Sequence, residues 1–596
     1  MKRLYIYLLI LSVLTSCDDG FMDRYPQTSI APEEFFKSEE DLALYVNGLL
    51  QLPGMGQYEQ DQSSDNLATT GAIEVKSIMT GSPNSQNITA GWDWARLRNI
   101  NYFLDNIANA QASQEAINHF EGLARFYRAW FYFNMVKRYS DLPWYGELLA
   151  PTDEALYKPR DPRALVMQRI LEDLEFAAAH VREQVPSGTP GIWAVKTLYA
   201  RVALYEGTFR KYHPELNIQE TAQALLTIAE DVSQEIIASG NFSIYQTGNP
   251  ERDYATLFNS LNLVGNPEII LVNPHDVSKD RSSNINYTVF GTYEQSPSRD
   301  LVQTYLMRDG SRFTDIPGYE TFLYVEEFQD RDPRLSQTLV YPGWVRSPDP
   351  GPFIPLMNRN FTGYFQQKGY NNTIDNVDIG SLDFPVMRYA EVLLTYAEAK
   401  AELGTLTQSD LDASVNRLRN RAGMPPLELT AANSSPDARL MEKYPNVSGP
   451  MTGVLLEIRR ERRVEFALEG YRFDDLMRWG AGKLLERIPE GMYFPGLGKY
   501  DLTGDGVEDI ILIDKDSNIP SDPQKETNSL GERLIYYRAG TVNDNVTVYL
   551  RNGVNGGTLV TETAPRQFME PKYYYRPVPI QQVVLNPNLE QIFGWE

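Results

Sequence analysis

Cysteine occurs once in the 596 residues, histidine four times, and the 55 lysines and arginines are outnumbered by 79 acidic residues. Each scarcity closes off a class of protein. With Cys17 as the lone cysteine no intrachain disulfide can form, so the fold rests on packing. The histidines, His119, His180, His213 and His275, show no zinc-site spacing such as a His-Glu-x-x-His run, and a solitary histidine is more often structural or exposed than catalytic. A net charge of -24 repels phosphate backbones and anionic headgroups, and no lysine- or arginine-rich face offers counterion release, which excludes nucleic acid as a partner. Beyond the first residues no apolar run approaches the roughly 20 residues of a membrane-spanning helix.

What is present begins at the N-terminus. Lys2 and Arg3 precede the apolar run Leu4 to Leu14, the layout of a secretory signal over residues 1–16. Leu14-Thr15-Ser16-Cys17 reads as a lipobox, after which Cys17 would carry the acyl chains that anchor the protein to a membrane. An ordinary signal followed by an incidental cysteine is the alternative. The remaining chain is long enough for one large buried core or several ordinary ones.

Helical periodicity dominates three stretches. In Leu123 to Arg138 the residues Leu123, Phe126, Tyr127, Trp130, Phe131 and Asn134 recur three and four apart, and Trp193 to Glu206 places Ala194, Leu198, Val202 and Ala203 on one face with Gly207 as the expected stop. Val386 to Leu403 carries apolar stripes on two sides, ends at Gly404, and precedes a Thr407/Asp410 capping box and a second helix reaching Ala422. Val454 to Leu468 and Asp474 to Arg487 form the third stretch. Between about residues 241 and 382 the period fades into proline, glycine, asparagine and tyrosine, predicting loops with short strands, and Val546, Val548 and Leu550 alternate before Asn552-Gly553 as in a hairpin. The basic run Arg459 to Arg463 is interleaved with Glu457, Glu461 and Glu465 at spacings that allow local ion pairs, so a solvated or ion-paired structural helix is expected.

An ordered set of motifs resembles the SusD/RagB family of outer-membrane nutrient-binding lipoproteins. It comprises Phe21-Met22-Asp23, Phe35 to Asp41, Glu121 to Trp130, Asp141-Leu142-Pro143, Tyr305 to Gly310, Arg331 to Leu335, Arg388 to Leu394, Arg459 to Phe466 with Glu469 to Leu476, Arg478-Trp479 and Pro577 to Ile580. The resemblance implies a mainly α, SusD-like fold in which four tetratricopeptide-like helix pairs support irregular loops and small β-hairpins. It implies an acylated tether over 17–38 and a single domain over 39–596, with the helical scaffold in about 39–240 and 383–487, a loop-rich ligand region in about 241–382 and a mixed part from 488 to 596. The family's role would make this a glycan-capturing lipoprotein of the outer membrane, not an enzyme and needing no cofactor, that hands its cargo to a SusC-like TonB-dependent transporter. Asp18 and Asp19 after the cysteine resemble an export signal to the outer face. Peptide cargo is one alternative. A surface glycoside hydrolase is another, since a carboxylate pair is all it needs and nothing singles one out among 79 acidic residues.

Sugar rings lay apolar C–H faces on aromatic rings while their hydroxyls seek amide, carboxylate or guanidinium partners. Trp92, Asp93, Trp94 and Arg96 are the nearest such cluster, with Asp65 and Asn66 as upstream hydrogen-bonding candidates. Tyr293 and Trp344, with Tyr287, Tyr341 and Tyr364, are candidates from the loop-rich region, each of which can equally be packing. Asp501, Thr503, Asp505 and Asp509 have the spacing of a calcium loop turning at Gly506. Leu512 stands where the closing glutamate belongs, so a structural calcium site and a tight acidic turn are both open readings.

Overall fold

The computed structural model describes residues 36–291, 294–373 and 380–595. Cys17, the lipobox and Tyr293 therefore lie outside the described residues. The helices come first in the chain: α1 (Glu39–Leu49), α2 (Ala95–Asn106), α3 (Gln114–Tyr139), α4 (Arg163–His180), α5 (Ile192–Tyr212) and α6 (Ala222–Ser239). After the loop-rich segment follow α7 (Tyr389–Leu403), α8 (Gln408–Ala413), α9 (Val415–Arg421), α10 (Thr452–Glu465) and α11 (Arg472–Arg478). Successive helices pack as neighbours, α3 on α4, α5 on α6, α6 on α7 and α7 on α10, while α11 returns to α5. The fold is mainly α, as expected. No helix among the described residues is long and apolar enough to cross a membrane.

Local chemistry sets these boundaries. Ser113 caps α3 by accepting from the Ala116 amide, and Lys137 and Arg138 sit in its last turn, where the helix dipole favours cations. Gly404 takes a left-handed conformation (φ 78°) to stop α7, and the Thr407/Asp410 capping box opens α8. Four expectations change. The helix expected over Asp474 to Arg487 is α11, which ends at Arg478, with a separate short helical turn at Gly482–Glu486. The helix predicted to stop at Gly207 runs on to Tyr212, because Gly207 serves close packing: a Cβ there would stand 3.0 Å from the Leu226 side chain and 3.1 Å from its amide. Val386 belongs to a strand, Phe384–Arg388, that pairs antiparallel with Ile269–Asn273 before α7 begins. The helix after Thr407 breaks at Ser414 into α8 and α9.

Among its described residues the loop-rich segment holds short α-helices of four to seven residues, including Asp253–Asn259 and Pro333–Thr338, with shorter helical turns and the strands Ile269–Asn273 and Ser296–Pro297. Near the C-terminus, Gly498–Tyr500, Ile510–Asp514, Ile535–Gly540 and Val548–Tyr549 form a four-stranded sheet, antiparallel at its first pair and parallel thereafter. The predicted turn at Asn552-Gly553 closes the Leu550–Leu559 bridge, with Arg551 donating to Thr558 and Asn552 to Gly556.

The helix predicted as solvated or ion-paired is ion-paired and wholly buried: every residue from Gly453 to Glu465 is inside. Its partners come mostly from elsewhere in the chain. Glu465 receives Arg421 at 2.6 Å, Arg388 at 2.6 Å and Arg334 at 3.1 Å. Arg462 binds Asp475 and Glu398, Arg463 binds Asp300 and Asp65, and only Arg460–Glu457 is a local pair. Burial alone would raise the Glu465 carboxyl, but Arg421, Arg388 and Arg334 outweigh it and hold it well below the usual carboxylate range. Glu465→Ala, which removes the carboxylate shared by three buried guanidinium groups and leaves a buried excess of positive charge, is expected to cost about 3–5 kcal/mol, measured by chemical denaturation against the wild type.

Candidate ligand-binding surface

The loop between Gly81 and Trp94 is rich in exposed polar residues and braces itself. The Asn84 side-chain oxygen accepts from the Gln86 and Asn87 amides, Asn87 returns a bond to the Asn84 amide, and both asparagines donate to the Ser82 carbonyl. Its far end is pinned to the end of α3: Arg138 and Tyr139 both donate to the Ala90 carbonyl, at 3.0 and 2.9 Å, while Arg138 also grips Glu74 with two nitrogens. Gly91 (φ 93°) is required there, because a Cβ would stand 2.8 Å from Arg138 Nε.

This anchorage delivers Trp92 and Trp94 side by side. Both are half-buried, 5.4 Å apart and edge-to-face, with Trp92 edge-on to Tyr139 at 4.8 Å. Trp94 continues to Tyr145 at 5.4 Å, so Trp92, Trp94 and Tyr145 make one aromatic ridge beside the polar loop. Tyr145 and its neighbour Trp144, which stacks on Tyr132 at 4.2 Å, were not among the sequence candidates. The available signal was their position just after Asp141-Leu142-Pro143. Asp93 is exposed and accepts from the Ala95 amide just ahead of α2. Arg96 turns away from the ridge and reaches the Leu49 carbonyl at 3.4 Å.

The other candidates lie elsewhere. Asp65 and Asn66 are interior: both Asp65 oxygens take Arg472, at 2.7 and 2.9 Å, while Asn66 bridges Asp61 and Arg463. Asp65 reaches the floor of a groove of about 1240 Å³ that Tyr319 and Tyr493 also line. Trp344, 7% exposed, is enclosed by Phe290, Phe353 and Tyr370 and presents no free face. Tyr364 is fully buried and donates to Glu327, whereas Tyr287 and Tyr341 are exposed. Three of the histidines serve packing or hydrogen bonding: His213 stacks on Phe209 at 3.8 Å, His180 stacks on Phe176, and His119 accepts from the Arg182 amide.

The acidic turn at Asp501 spends its oxygens on its own backbone. Asp501 accepts from the Gly504 and Gly506 amides, Asp505 from Val507, and Asp509 from Leu502 and Thr503, so of the two open readings the tight turn fits. Among the described residues no group of three or more His, Cys, Asp or Glu side chains gathers to hold a metal ion. Adding calcium, or chelating it, is accordingly expected to leave the thermal midpoint unchanged in calorimetry, since a ligand of the folded state alone would raise it.

Asp65 carries a pH prediction. Burial pushes its carboxyl up, but Arg463 and Arg472 prevail and hold it at about 2, below the ordinary 3.8. A depressed carboxyl contributes stability that is whole above the unfolded value and fades as pH falls through the folded one. The unfolding free energy of the wild type should therefore drop more steeply between about pH 4 and pH 2 than that of Asp65→Asn, as read from denaturation curves across that window.

Residues 267–595 match the family model described as the SusD family, and residues 20–204 match one described as starch-binding associating with outer membrane. SusD-like protein P25 of Formosa agariphila is 24% identical over 536 residues, covering 80% of this chain and 90% of that protein. Among solved structures, a SusD-like carbohydrate binding protein from Bacteroides fragilis superposes with a TM-score of 0.67 at 22% identity, over 93% of this chain and 100% of the other. A second SusD-like protein from the same organism gives 0.62 at 21% identity, over 96% and 100%. With more than half of its length matched by the family model, the chain belongs to the SusD family.

Proposed function

We propose that this protein captures glycan at the outer membrane without cleaving it and passes it to a SusC-like TonB-dependent transporter, held to the membrane by lipid on Cys17. Membership of the SusD family, the match described as starch-binding associating with outer membrane, and the carbohydrate-binding description of the Bacteroides fragilis relative all support this reading. The observation that carries it is the Trp92–Trp94–Tyr145 ridge: half-buried rings held edge-to-face, set beside a self-braced loop of exposed serine, asparagine and glutamine. Rings supply apolar faces for sugar C–H groups, the amides and hydroxyls supply partners for sugar hydroxyls, and the prior bracing lowers the entropy lost on binding. Delivery to a channel asks only for reversible capture, which stacking without a covalent step provides.

Calorimetry of the purified protein against plant, host and microbial polysaccharides tests this. Saturable binding without shortened products is expected, weakened about tenfold or more, roughly 1.4 kcal/mol, by Trp92→Ala. Silence across the panel would move the reading to peptide cargo, and shortened chains after long incubation would make it a hydrolase.

A further inference from the structure

On helix α3 the residues facing the ridge are Phe131, Tyr132 and Tyr139, which touch Trp94 or Trp92. At about 100° per residue, Trp130, Phe133, Asn134 and Lys137 share the opposite face. That face is not simply core. It forms one wall of a separate cavity of about 270 Å³, closed on its other sides by Phe384 to Val386, Gln57, Gln60 and the segment Glu469 to Asp474.

The charges around this cavity are already spent. Lys137 is paired with Asp474 at 2.6 Å, Arg201 with Glu391 at 2.7 Å, and Glu469 with both Lys368 and Arg388 at 2.6 Å. An ionic ligand would find each charge already neutralised by a neighbour. What remains free is neutral: the side-chain amides of Gln57, Gln60 and Asn134 and the Trp130 indole N–H make no hydrogen bond to another described residue, and Gln60 and Asn134 are exposed. Trp130 is half-buried and steadied edge-on by Phe126 at 5.5 Å. Gly470 (φ 79°) keeps the wall open, for a Cβ there would stand 2.4 Å from the Gln57 amide nitrogen. One aromatic ring, three amides that both donate and accept, no net field and a volume near the lower end of small-molecule sites suit a single uncharged polyhydroxylated ring.

We propose that this cavity is a second ligand site, on the face of α3 opposite the ridge, that takes one neutral sugar ring against Trp130 with Asn134, Gln57 and Gln60 as hydrogen-bonding partners. The proposal rests on the glycan reading above for its ligand class, but not on the ridge for its contacts. A chain end or single-residue branch would enter here, while a continuous chain would lie on the ridge.

The test is titration of the purified protein with glucose, galactose, mannose and xylose, followed by tryptophan fluorescence and saturation-transfer NMR. At least one sugar should saturate the wild type, and both Trp130→Ala and Asn134→Leu should weaken it about tenfold or more. Asn134 is exposed, so Asn134→Leu keeps the test valid if Trp130→Ala folds poorly. The proposal is overturned if no sugar saturates up to ~100 mM, if binding is indifferent to Asn134→Leu, or if it is lost to Trp92→Ala instead. A polysaccharide held through Trp92 with no monosaccharide bound sinks this site alone. A saturable monosaccharide dependent on Asn134, with every polysaccharide silent, sinks capture on the ridge and leaves this site standing.

Discussion

The carboxylate of Glu465 is the point on which the interior is hung. Three arginines from distant parts of the chain converge on it: Arg334 from the loop-rich segment, Arg388 from the end of a strand, and Arg421 from α9. Glu268 shares Arg388 and Arg421 with it, and Glu469 shares Arg388. Charges taken this far from water are tolerated only when paired and hydrogen-bonded, so each arginine dictates where the segment carrying it can lie. Buried ion pairs add little net stability compared with apolar packing, but they penalise misplacement severely. In a fold with few and short strands, that penalty is what gives irregular segments one arrangement.

The same residue type also organises backbone that has no ladder of its own. Arg331 donates to the carbonyls of Val302 and Tyr305, at 2.8 and 2.7 Å, as well as to those of Leu306 and Glu327. Asn360 donates to the Gln295 and Tyr364 carbonyls, and the Asn286 side-chain amide donates to the Asn371 carbonyl while accepting from the Asn371 N–H. Buried carbonyls need partners, and here side chains supply what sheet pairing supplies elsewhere. The frequent asparagines between residues 241 and 382 are therefore structural cement as much as loop formers.

Helices were legible in the sequence because their apolar period is local, and the capping box at Thr407 and the stop at Gly404 because cap chemistry is local too. Gly207 was misread for a tertiary reason: a glycine that ends a helix and a glycine that lets another helix approach look alike until Leu226 is in place. The arginines of α10 are ion-paired as expected, but mostly with distant partners, since spacing reveals which local pairs are possible and not that Asp475, Glu398, Asp300 and Asp65 would compete for them. Within the candidate site, Trp92 and Trp94 stood out by adjacency. Trp344 looked equivalent, and only the enclosing Phe290, Phe353 and Tyr370 distinguish it. At the acidic turn the sequence left a calcium loop and a tight turn both open, because the aspartate spacing that can encircle a cation also closes Asx turns, and here the backbone amides take the oxygens.

Helix α3 ties these strands together physically. Its buried partner α4 is held by Arg128, which grips Asp173 with two nitrogens, and its first turn of α4 is locked through Arg163 to Glu206 of α5. Both candidate surfaces thus sit on opposite faces of one element whose position is fixed by interior ion pairs and not by the surfaces themselves. On the proposed reading, rings and amides braced against a fixed helix bind without paying to order themselves, so modest contacts suffice for capture. The ridge is tied into the same frame, since Arg128, paired with Asp173, also donates to the Gly146 carbonyl beside Tyr145 and lies over the Trp144 ring, while Arg138 joins the Ala90 carbonyl to Glu74, so a substitution among the rings is felt by the ion pairs behind them.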